Sequence, residues 1–118
     1  MDTEKVKANE KRFFTFVNEK DSEAIEKWID AHVAEDFVNH TPDLEVPPDR
    51  EGLKEMFRRI FQLAPGFTMT LKEMAFEKDL LAFRYLIHGV GDKGAIMGMA
   101  MVRFKGKKIA ERWSITEA

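Results

Sequence analysis

The chain has 118 residues, of which 44% are hydrophobic and 34% are charged, and its formal net charge is −2. This length and hydrophobic content fit one folded domain over residues 1–118 and exclude a disordered chain. The near balance of 19 basic and 21 acidic residues argues against nucleic acid or an anionic membrane as the main partner. The absence of cysteine excludes disulfides and thiolate metal sites.

The N-terminal segment MDTEKVKANEKRFF is charged and lacks the apolar run of a signal peptide. No stretch of the chain approaches the roughly 18 apolar residues that a membrane span needs. We therefore expect a cytoplasmic protein that does not associate with a membrane.

Three amphipathic helices are predicted in the first half of the chain, because apolar residues recur there at spacings of three and four. The stripes are Val6, Phe13, Phe14 and Val17, then Ile25, Trp28, Ile29, His32 and Val33, then Leu53, Met56, Phe57, Ile60 and Phe61. The first helix is expected over residues 3–19. Asp21 or Ser22 can cap the second helix, and Asp49 can cap the third. The segment APG at 64–66 ends the third helix.

The second half of the chain has the two-residue period of strands. Strands are predicted at 67–76, 80–90, 95–104 and from Ile109 onward, with turns at 77–79, 91–94 and 105–108. A phase shift near Lys72 and Glu73 indicates a bulge. The segment AEDFVNHTPDLEVPPD, between the second and third helices, is predicted to be irregular because it holds three prolines. Helices followed by a four-strand antiparallel meander predict an α+β domain with the helices on one face of the sheet.

The last strand places carboxylates among apolar residues. Alternate residues of a strand point to opposite faces, so one face holds Ile109, Glu111, Trp113, Ile115 and Glu117. The preceding strand has alternating methionines, Met97, Met99 and Met101. Such residues suit a pocket for an apolar ligand, an adaptable dimer surface or ordinary core packing.

The turn before the last strand decides which of these faces looks toward the helices. We expect a two-residue turn at 106–107, because glycine suits the first central position of a type II′ turn. Phe104 then pairs with Ile109, and the face of Trp113 and Glu111 looks inward. Arg103 and the methionines then face outward, and a single bulge would reverse the arrangement.

Four segments, in this order, resemble the SnoaL-like polyketide cyclase family of the nuclear-transport-factor-two-like superfamily: DFVNHTPD, REGLKEMFRRIFQLAPGF, LLAFRYLIHGVGDKG and RFKGKKIAERWSITE. The most specific pieces are Phe-Val-x-His before a proline, and Gly-Lys-x-Ile-x-Glu-x-Trp with an acid four residues after the tryptophan. The resemblance spans essentially the whole chain. It implies a cone-shaped α+β fold, in which three N-terminal helices pack on a curved antiparallel sheet around a pocket. The family includes polyketide cyclases, its relatives include ketosteroid isomerases and epoxide hydrolases, and many members are dimers.

The resemblance also implies roles for single residues. The catalytic aspartate of the cyclases corresponds to Glu117, and His40 matches the family's histidine in the loop after the second helix. Two positions depart from the family pattern: Arg103 replaces an assisting histidine, and Asp92 stands where members often have another.

The function implied by the resemblance is proton transfer on a small apolar carbonyl compound, in an aldol-type cyclisation or an isomerisation. Glu117 would be the acid/base, His40 would orient the ligand, and no metal or organic cofactor is implied. The expected ligand contacts are Trp113, Phe83, Tyr85, Glu111 and Phe57. The alternative is a non-catalytic ligand-binding or protein-interaction domain with the same fold, which the replacements at Glu117 and Arg103 favour.

Structural roles compete with these functional ones. Glu117 lies one residue from the end of the sequence, where a carboxylate can fray. Glu111 is expected to form a salt bridge with an arginine such as Arg58 or Arg59, and His40 can equally cap its own turn. The remaining histidines, His32 in a helix stripe and His88 on a strand, are expected in structural or interface positions. The spacing of the three histidines matches no compact metal-ligand motif.

A homodimer is predicted from the strand at 80–90, which is apolar on both faces. Leu80, Ala82 and Leu86 alternate there with Leu81, Phe83, Tyr85 and Ile87. Because the helices can cover only one face of the sheet, the other face is expected to bind a second copy of the chain.

Overall fold

A computed structural model describes residues 2–92 and 94–117. In chain order the elements are α1 (Thr3–Asn18), α2 (Ser22–His32), β1 (Val33–Asn39), α3 (Arg50–Leu63), β2 (Thr68–Glu77), β3 (Leu80–His88), β4 (Ile96–Lys105) and β5 (Lys108–Thr116). The predicted α+β class, with three helices on a sheet that contains a C-terminal four-strand meander, is confirmed. No helix in the described ranges is both long enough and apolar enough to cross a membrane.

Each helix begins at an aspartate whose side chain accepts a hydrogen bond from a free backbone N–H of the first turn. Asp2 caps α1 through the N–H of Glu4 at 2.9 Å. Asp21 caps α2 at 3.0 Å, and Asp49 caps α3 through the N–H of Gly52 at 2.8 Å. The prediction of Asp49 as a cap is confirmed, and Asp21 rather than Ser22 caps α2.

The sheet contains a fifth strand that the sequence did not indicate. Its order is β1-β5-β4-β3-β2, with β2 to β5 antiparallel and β1 parallel to β5. The prediction that the whole segment between α2 and α3 is irregular is therefore wrong over Val33–Asn39. The strand follows α2 directly and buries Val33, Phe37 and Asn39.

The sequence predicts a bulge in β2 and turns between the strands of the meander. The register of β2 against β3 shifts between Leu71 and Met74, which confirms the bulge near Lys72 and Glu73. Lys78, in the turn between β2 and β3, has a positive φ of 57°. Lys93, inside the predicted turn at 91–94, lies outside the described residues.

A second bulge, in β5, reverses the faces of the last strand. Phe104 pairs with Ile109 as predicted, but Arg103 pairs with Glu111 and not with Ala110. Trp113 consequently lies opposite Met101 on the outer face. The prediction that Trp113 and Glu111 face the helices is wrong, because Ala110 is the extra residue of a bulge.

The same bulge turns Arg112 inward. Arg112 pairs with Val102, whose side chain is buried beneath the helices. The outward placement of Arg103 and the methionines of β4 is confirmed, because Met99 is 48% exposed and its buried neighbours, Gly98 and Ala100, take the inner face. The concave face thus gains a cation that simple alternation would have sent to the outside.

The helices close the concave face of the sheet through aromatic packing and ion pairs. The Phe14 ring of α1 meets the Phe83 ring of β3 edge to face, with centroids 5.9 Å apart. The Trp28 indole donates a hydrogen bond to the Asn9 carbonyl at 3.0 Å, joining α2 to α1. Lys54 of α3 is buried and pairs with an Asp30 oxygen of α2 at 2.7 Å.

Gly98→Ala is expected to destabilise the fold by about 1–3 kcal/mol, because the new methyl group would overlap the Tyr85 ring. A Cβ at Gly98 would lie 2.4 Å from Cε2 and 2.9 Å from the hydroxyl oxygen of Tyr85. Urea denaturation measures the loss. Gly66→Ala is the matched control, since its nearest contact would be an ordinary 3.9 Å; equal effects at both positions would contradict the close packing of Gly98 on Tyr85.

Candidate functional site

Two cavities lie beside each other between the helices and the sheet, and they share part of their walls. The inner chamber, about 60 Å³, is lined by Glu10, Phe13, Phe14, Trp28, Val33, Phe37, Leu53, Phe57, Met69, Phe83, Tyr85, Val102, Ile109 and Arg112. The mouth, about 300 Å³, is lined by Asp43, Leu44, Met56, Phe57, Ile60, Phe67, Met69, Tyr85, Ile87, Val90, Ile96, Arg112, Thr116 and Glu117. Four residues line both cavities, and we call this shared wall the neck: Phe57, Met69, Tyr85 and Arg112.

Glu10 is the acidic residue of the inner chamber. It lies four positions after Val6 and three before Phe13, so the helical period places it in the buried stripe of α1. Glu10 is only 5% exposed. Burial disfavours its charged form and raises the pKa of its carboxyl to about 7, against the opposing attraction of Arg112. At neutral pH this group can therefore both accept and donate a proton.

Arg112 is the basic residue of the neck. Its Nη1 donates to Asn39 Oδ1 over 3.4 Å, which is a weak contact. Among the described residues Arg112 forms no salt bridge, although the guanidinium offers five N–H donors. Asn39 also accepts from the Thr41 N–H at 3.2 Å, and its own buried Nδ2 has no partner in the part of the chain that the structure describes.

Tyr85 stands beside Arg112 at the neck and is 4% exposed. Burial raises the pKa of its phenol, Arg112 lowers it, and the nearby Asp43 raises it. The hydroxyl consequently stays protonated at neutral pH and can donate a hydrogen bond. Glu10, Tyr85 and Arg112 together place a proton acceptor and two hydrogen-bond donors around one small apolar space.

Three of the residues predicted to contact a ligand line this space. Phe83 lies in the wall of the inner chamber, and Phe57 and Tyr85 lie at the neck. Their contact with a ligand stays a prediction.

The structure places the other predicted ligand contacts on the outer face of the sheet. The rings of His40 and Trp113 stack there, with centroids 4.8 Å apart and planes 10° from parallel. Nε2 of His40 lies 2.9 Å from a carboxylate oxygen of Glu111. His40, which the resemblance implies orients the ligand, is not among the residues that line the inner chamber or the mouth.

Glu111 forms a cross-strand ion pair, but with a different arginine from those predicted. Its second oxygen lies 3.8 Å from Arg103 Nε, and Arg103 also pairs with Asp79 at 3.1 Å. The predicted partners are engaged elsewhere, because Arg58 binds Glu26 through two hydrogen bonds and Arg59 binds Glu55.

Glu117 lies at the rim of the mouth, just beyond the end of β5. Its backbone N–H donates to the Met97 carbonyl at 3.0 Å, and its carboxylate accepts from the Met97 N–H. The side chain is exposed. The expected alternation from Ile109 to Glu117 on one inner face does not hold, since the bulge at Ala110 intervenes and Ile115 is 71% exposed.

The remaining histidines take separate positions. The His32 ring packs on the Trp28 ring at 4.8 Å, and partial burial lowers the pKa of its imidazole. His88 lies on β3, with its Nε2 3.4 Å from the Thr70 hydroxyl. Within residues 2–92 and 94–117, no group of three or more histidine, aspartate or glutamate side chains is arranged to hold a metal ion.

Sequence reasoning missed Glu10 and Arg112. The sequence could have indicated Glu10, because it falls inside an apolar helical stripe and charged residues are rarely buried. Arg112 had none, since its inward direction depends on the bulge at Ala110.

Helices closing a curved sheet around an apolar cavity that holds one acid and one arginine define a small α+β pocket protein. Residues 11–112 match the family profile described as the SnoaL-like domain, and the chain belongs to this family. No curated protein matches the sequence.

Solved structures of the same fold cover most of the chain. IdmH from Streptomyces antibioticus, named as a candidate polyketide cyclase, is 25% identical with a TM-score of 0.72, over 94% of this chain and 91% of IdmH. TsrD from Streptomyces laurentii is 17% identical with a TM-score of 0.79, over 99% of this chain and 91% of TsrD. A SnoaL-like polyketide cyclase from Agrobacterium tumefaciens is 14% identical with a TM-score of 0.75, over 99% of this chain and 93% of that protein. The likenesses to the last two show the fold alone.

Glu10→Gln is expected to raise the free energy of unfolding at pH 8 and to leave it nearly unchanged at pH 4. Folding raises the pKa of Glu10 from its ordinary value of 4.5 to about 7, so the folded state holds this proton more tightly than the unfolded state. Stability is therefore lost as the pH rises from about 4.5 to about 7, by on the order of 3 kcal/mol in total. Glutamine does not ionise and avoids this loss.

Urea denaturation of both proteins at the two pH values measures the difference. An equal effect of Glu10→Gln at pH 4 and pH 8 would mean that burial does not perturb the ionisation of Glu10.

Proposed function

We propose that residues 1–118 act as one SnoaL-like enzyme domain in the cytoplasm, which binds an apolar carbonyl compound and moves a proton on it. The observation that supports this most is the Glu10 carboxyl, buried in an apolar chamber with its pKa raised to about 7. A general acid/base works best when its pKa lies near the working pH.

In the proposed reaction Glu10 acts as the base. Its carboxylate takes a proton from the carbon next to the ligand's carbonyl group, and the C–H electron pair moves to form a C=C bond. The carbonyl π electrons move to the oxygen, and the resulting enolate oxygen accepts hydrogen bonds from Arg112 and Tyr85.

The enolate can react in either of two ways. In an isomerisation, Glu10 returns the proton to another carbon of the conjugated system. In an aldol-type cyclisation, the enolate carbon attacks a second carbonyl of the same molecule, and the new alkoxide takes back the proton that Glu10 removed. The description of IdmH as a candidate polyketide cyclase agrees with the second outcome.

Glu117 is the rival acid/base that the family resemblance indicates. It reaches the mouth, but its carboxylate is exposed and already accepts the Met97 N–H. Glu10 lies deeper, beyond the neck, and faces the same space as Arg112 and Tyr85. We therefore assign the proton transfer to Glu10 and give Glu117 a place at the rim.

Deuterium uptake from D2O into a mixed panel of methyl, internal and cyclic ketones tests the proton transfer. We expect the protein to accelerate exchange next to the carbonyl of at least one ketone, and ¹H NMR measures the rate. Glu10→Gln is expected to lower that rate by about 10²–10⁴-fold, the usual contribution of a general base. The rate is expected to rise with pH through about 7, since the carboxylate form of Glu10 is the base.

Glu117→Gln is the matched comparison, and we expect it to keep most of the activity. Loss of exchange in Glu117→Gln with retention in Glu10→Gln would transfer the role to Glu117. Ketone binding without exchange in the unaltered protein would favour the non-catalytic ligand-binding domain.

We further propose a homodimer through the outer face of the sheet. Large apolar side chains remain exposed on its strands: Met99 is 48% exposed, Ile115 is 71% exposed and Val38 is 42% exposed. Helices cover only the opposite, concave face, so these side chains have no cover within the described chain.

Sedimentation is expected to show a dimer at concentrations on the order of tens of micromolar, and Ile115→Lys is expected to shift it toward the monomer. The reason is that a lysine facing its own symmetry mate would place like charges inside an apolar interface. Leu63→Lys is the control, because Leu63 is 73% exposed at the end of α3, away from the sheet face. A monomer in the unaltered protein would overturn the proposal.

A further inference from the structure

The inner chamber is too small for a ring. Its volume is about 60 Å³, whereas an apolar cavity that takes up benzene measures about 150 Å³. Because the chamber has less than half the volume of that cavity, it suits a short alkyl group rather than a ring. A polycyclic ligand therefore cannot place its body beside Glu10.

The neck fixes where the carbonyl oxygen of a ligand lies. Tyr85 and Arg112 line both the chamber and the mouth, and they supply hydrogen-bond donors. Within the described residues, the Tyr85 hydroxyl forms no hydrogen bond and Arg112 forms only the weak 3.4 Å contact with Asn39. A carbonyl oxygen at the neck would satisfy both donors, and the carbon on its inner side would then face Glu10.

The mouth selects the rest of the ligand. It is five times larger than the chamber, about 300 Å³ against about 60 Å³. Its wall is mostly apolar, with Leu44, Met56, Ile60, Ile87, Val90 and Ile96. Its two acidic residues, Asp43 and Glu117, would repel an anionic group. The outer part of the ligand is therefore apolar and carries no negative charge.

We propose that the ligand is a compound with a terminal acetyl or propionyl ketone on an apolar body, which enters end-on. Its short alkyl end fills the inner chamber beside Glu10, its carbonyl oxygen lies between Tyr85 and Arg112, and its body stays in the mouth. The proton then leaves the α-carbon of the short alkyl end and not the α-carbon on the side of the body. This inference rests on the proposed proton transfer only for the site of exchange, because the binding order follows from the shape of the cavity.

Two isomeric ketones test the inference. 2-Undecanone has a methyl end, whereas 6-undecanone has the same atoms with the carbonyl at the centre, and 1-tetralone supplies a fused ring. We expect deuterium from D2O to enter the C1 methyl of 2-undecanone at least about tenfold faster than its C3 methylene, the usual discrimination of a tight pocket. Exchange in 6-undecanone and 1-tetralone is expected to stay near the rate without protein.

Enlarging the chamber is expected to remove this preference. Phe83→Leu opens the chamber wall. The wider chamber admits water beside Glu10 and lowers the overall exchange rate, but the C3 rate should come near the C1 rate. Val102→Ala, at another point of the same wall, is the second variant should Phe83→Leu fail to fold. A C1 preference that persists in a folded enlarged variant would overturn the role of chamber size.

Binding provides a readout that does not depend on catalysis. The chain has one tyrosine, Tyr85, so its ring signals in ¹H–¹³C NMR report ligands at the neck directly. In Glu10→Gln we expect 2-undecanone to bind at least about tenfold more tightly than 6-undecanone. This order without any exchange in the unaltered protein would leave the end-on ligand standing and overturn the proposed enzyme. Exchange that depends on Glu10 but shows equal rates and affinities for the two isomers would overturn the end-on ligand and leave the proposed enzyme standing. If neither the binding order nor exchange is observed, both proposals are overturned.

Discussion

One extra residue in β5, Ala110, decides which side chains reach the cavity. The residue before it keeps the pairing set by the turn, with Ile109 opposite Phe104, whereas the residues after it are displaced by one position. Such a displacement turns every later side chain to the other face of the sheet. Arg112 therefore enters the cone, and Trp113 leaves it to pack with the loop histidine on the outside.

The positive charge of Arg112, which the bulge turns inward, lies on the same chamber as the buried carboxyl of Glu10 in α1. Burial raises the pKa of Glu10 and the nearby Arg112 opposes that rise, so that the pKa lies at about 7. The same guanidinium lowers the pKa of Tyr85 against the effect of burial. Without the bulge, Glu111 would face Glu10 across the chamber, and two carboxyl groups close together there would suppress each other's ionisation.

The sequence predicted the elements whose signals are local and missed those that depend on distant pairing. Helical stripes, aspartate caps and the turn before β5 are read from neighbouring residues, and they agree with the structure. β1 was missed because the exposed Glu35 and Asp36 interrupt its buried positions, and because its partner, β5, is far along the chain. The bulge at Ala110 had no marker, since a small residue fits either pairing. Glu10 could have been found, because a charged residue inside an apolar helical stripe is unusual.

At Glu10, the stability of the fold and the proposed proton transfer have opposite requirements. In the empty protein the buried carboxyl weakens the fold above neutral pH, a cost that a glutamine or an apolar residue would remove. A ligand in the chamber would displace the remaining water and desolvate the carboxylate further, which makes it a stronger base. At the same moment the ligand's carbonyl would bind Arg112 and Tyr85, so that the positive charge supports the developing enolate. The small chamber thus has a physical reason: a wider one would keep water beside Glu10, return its pKa toward 4.5 and weaken the base.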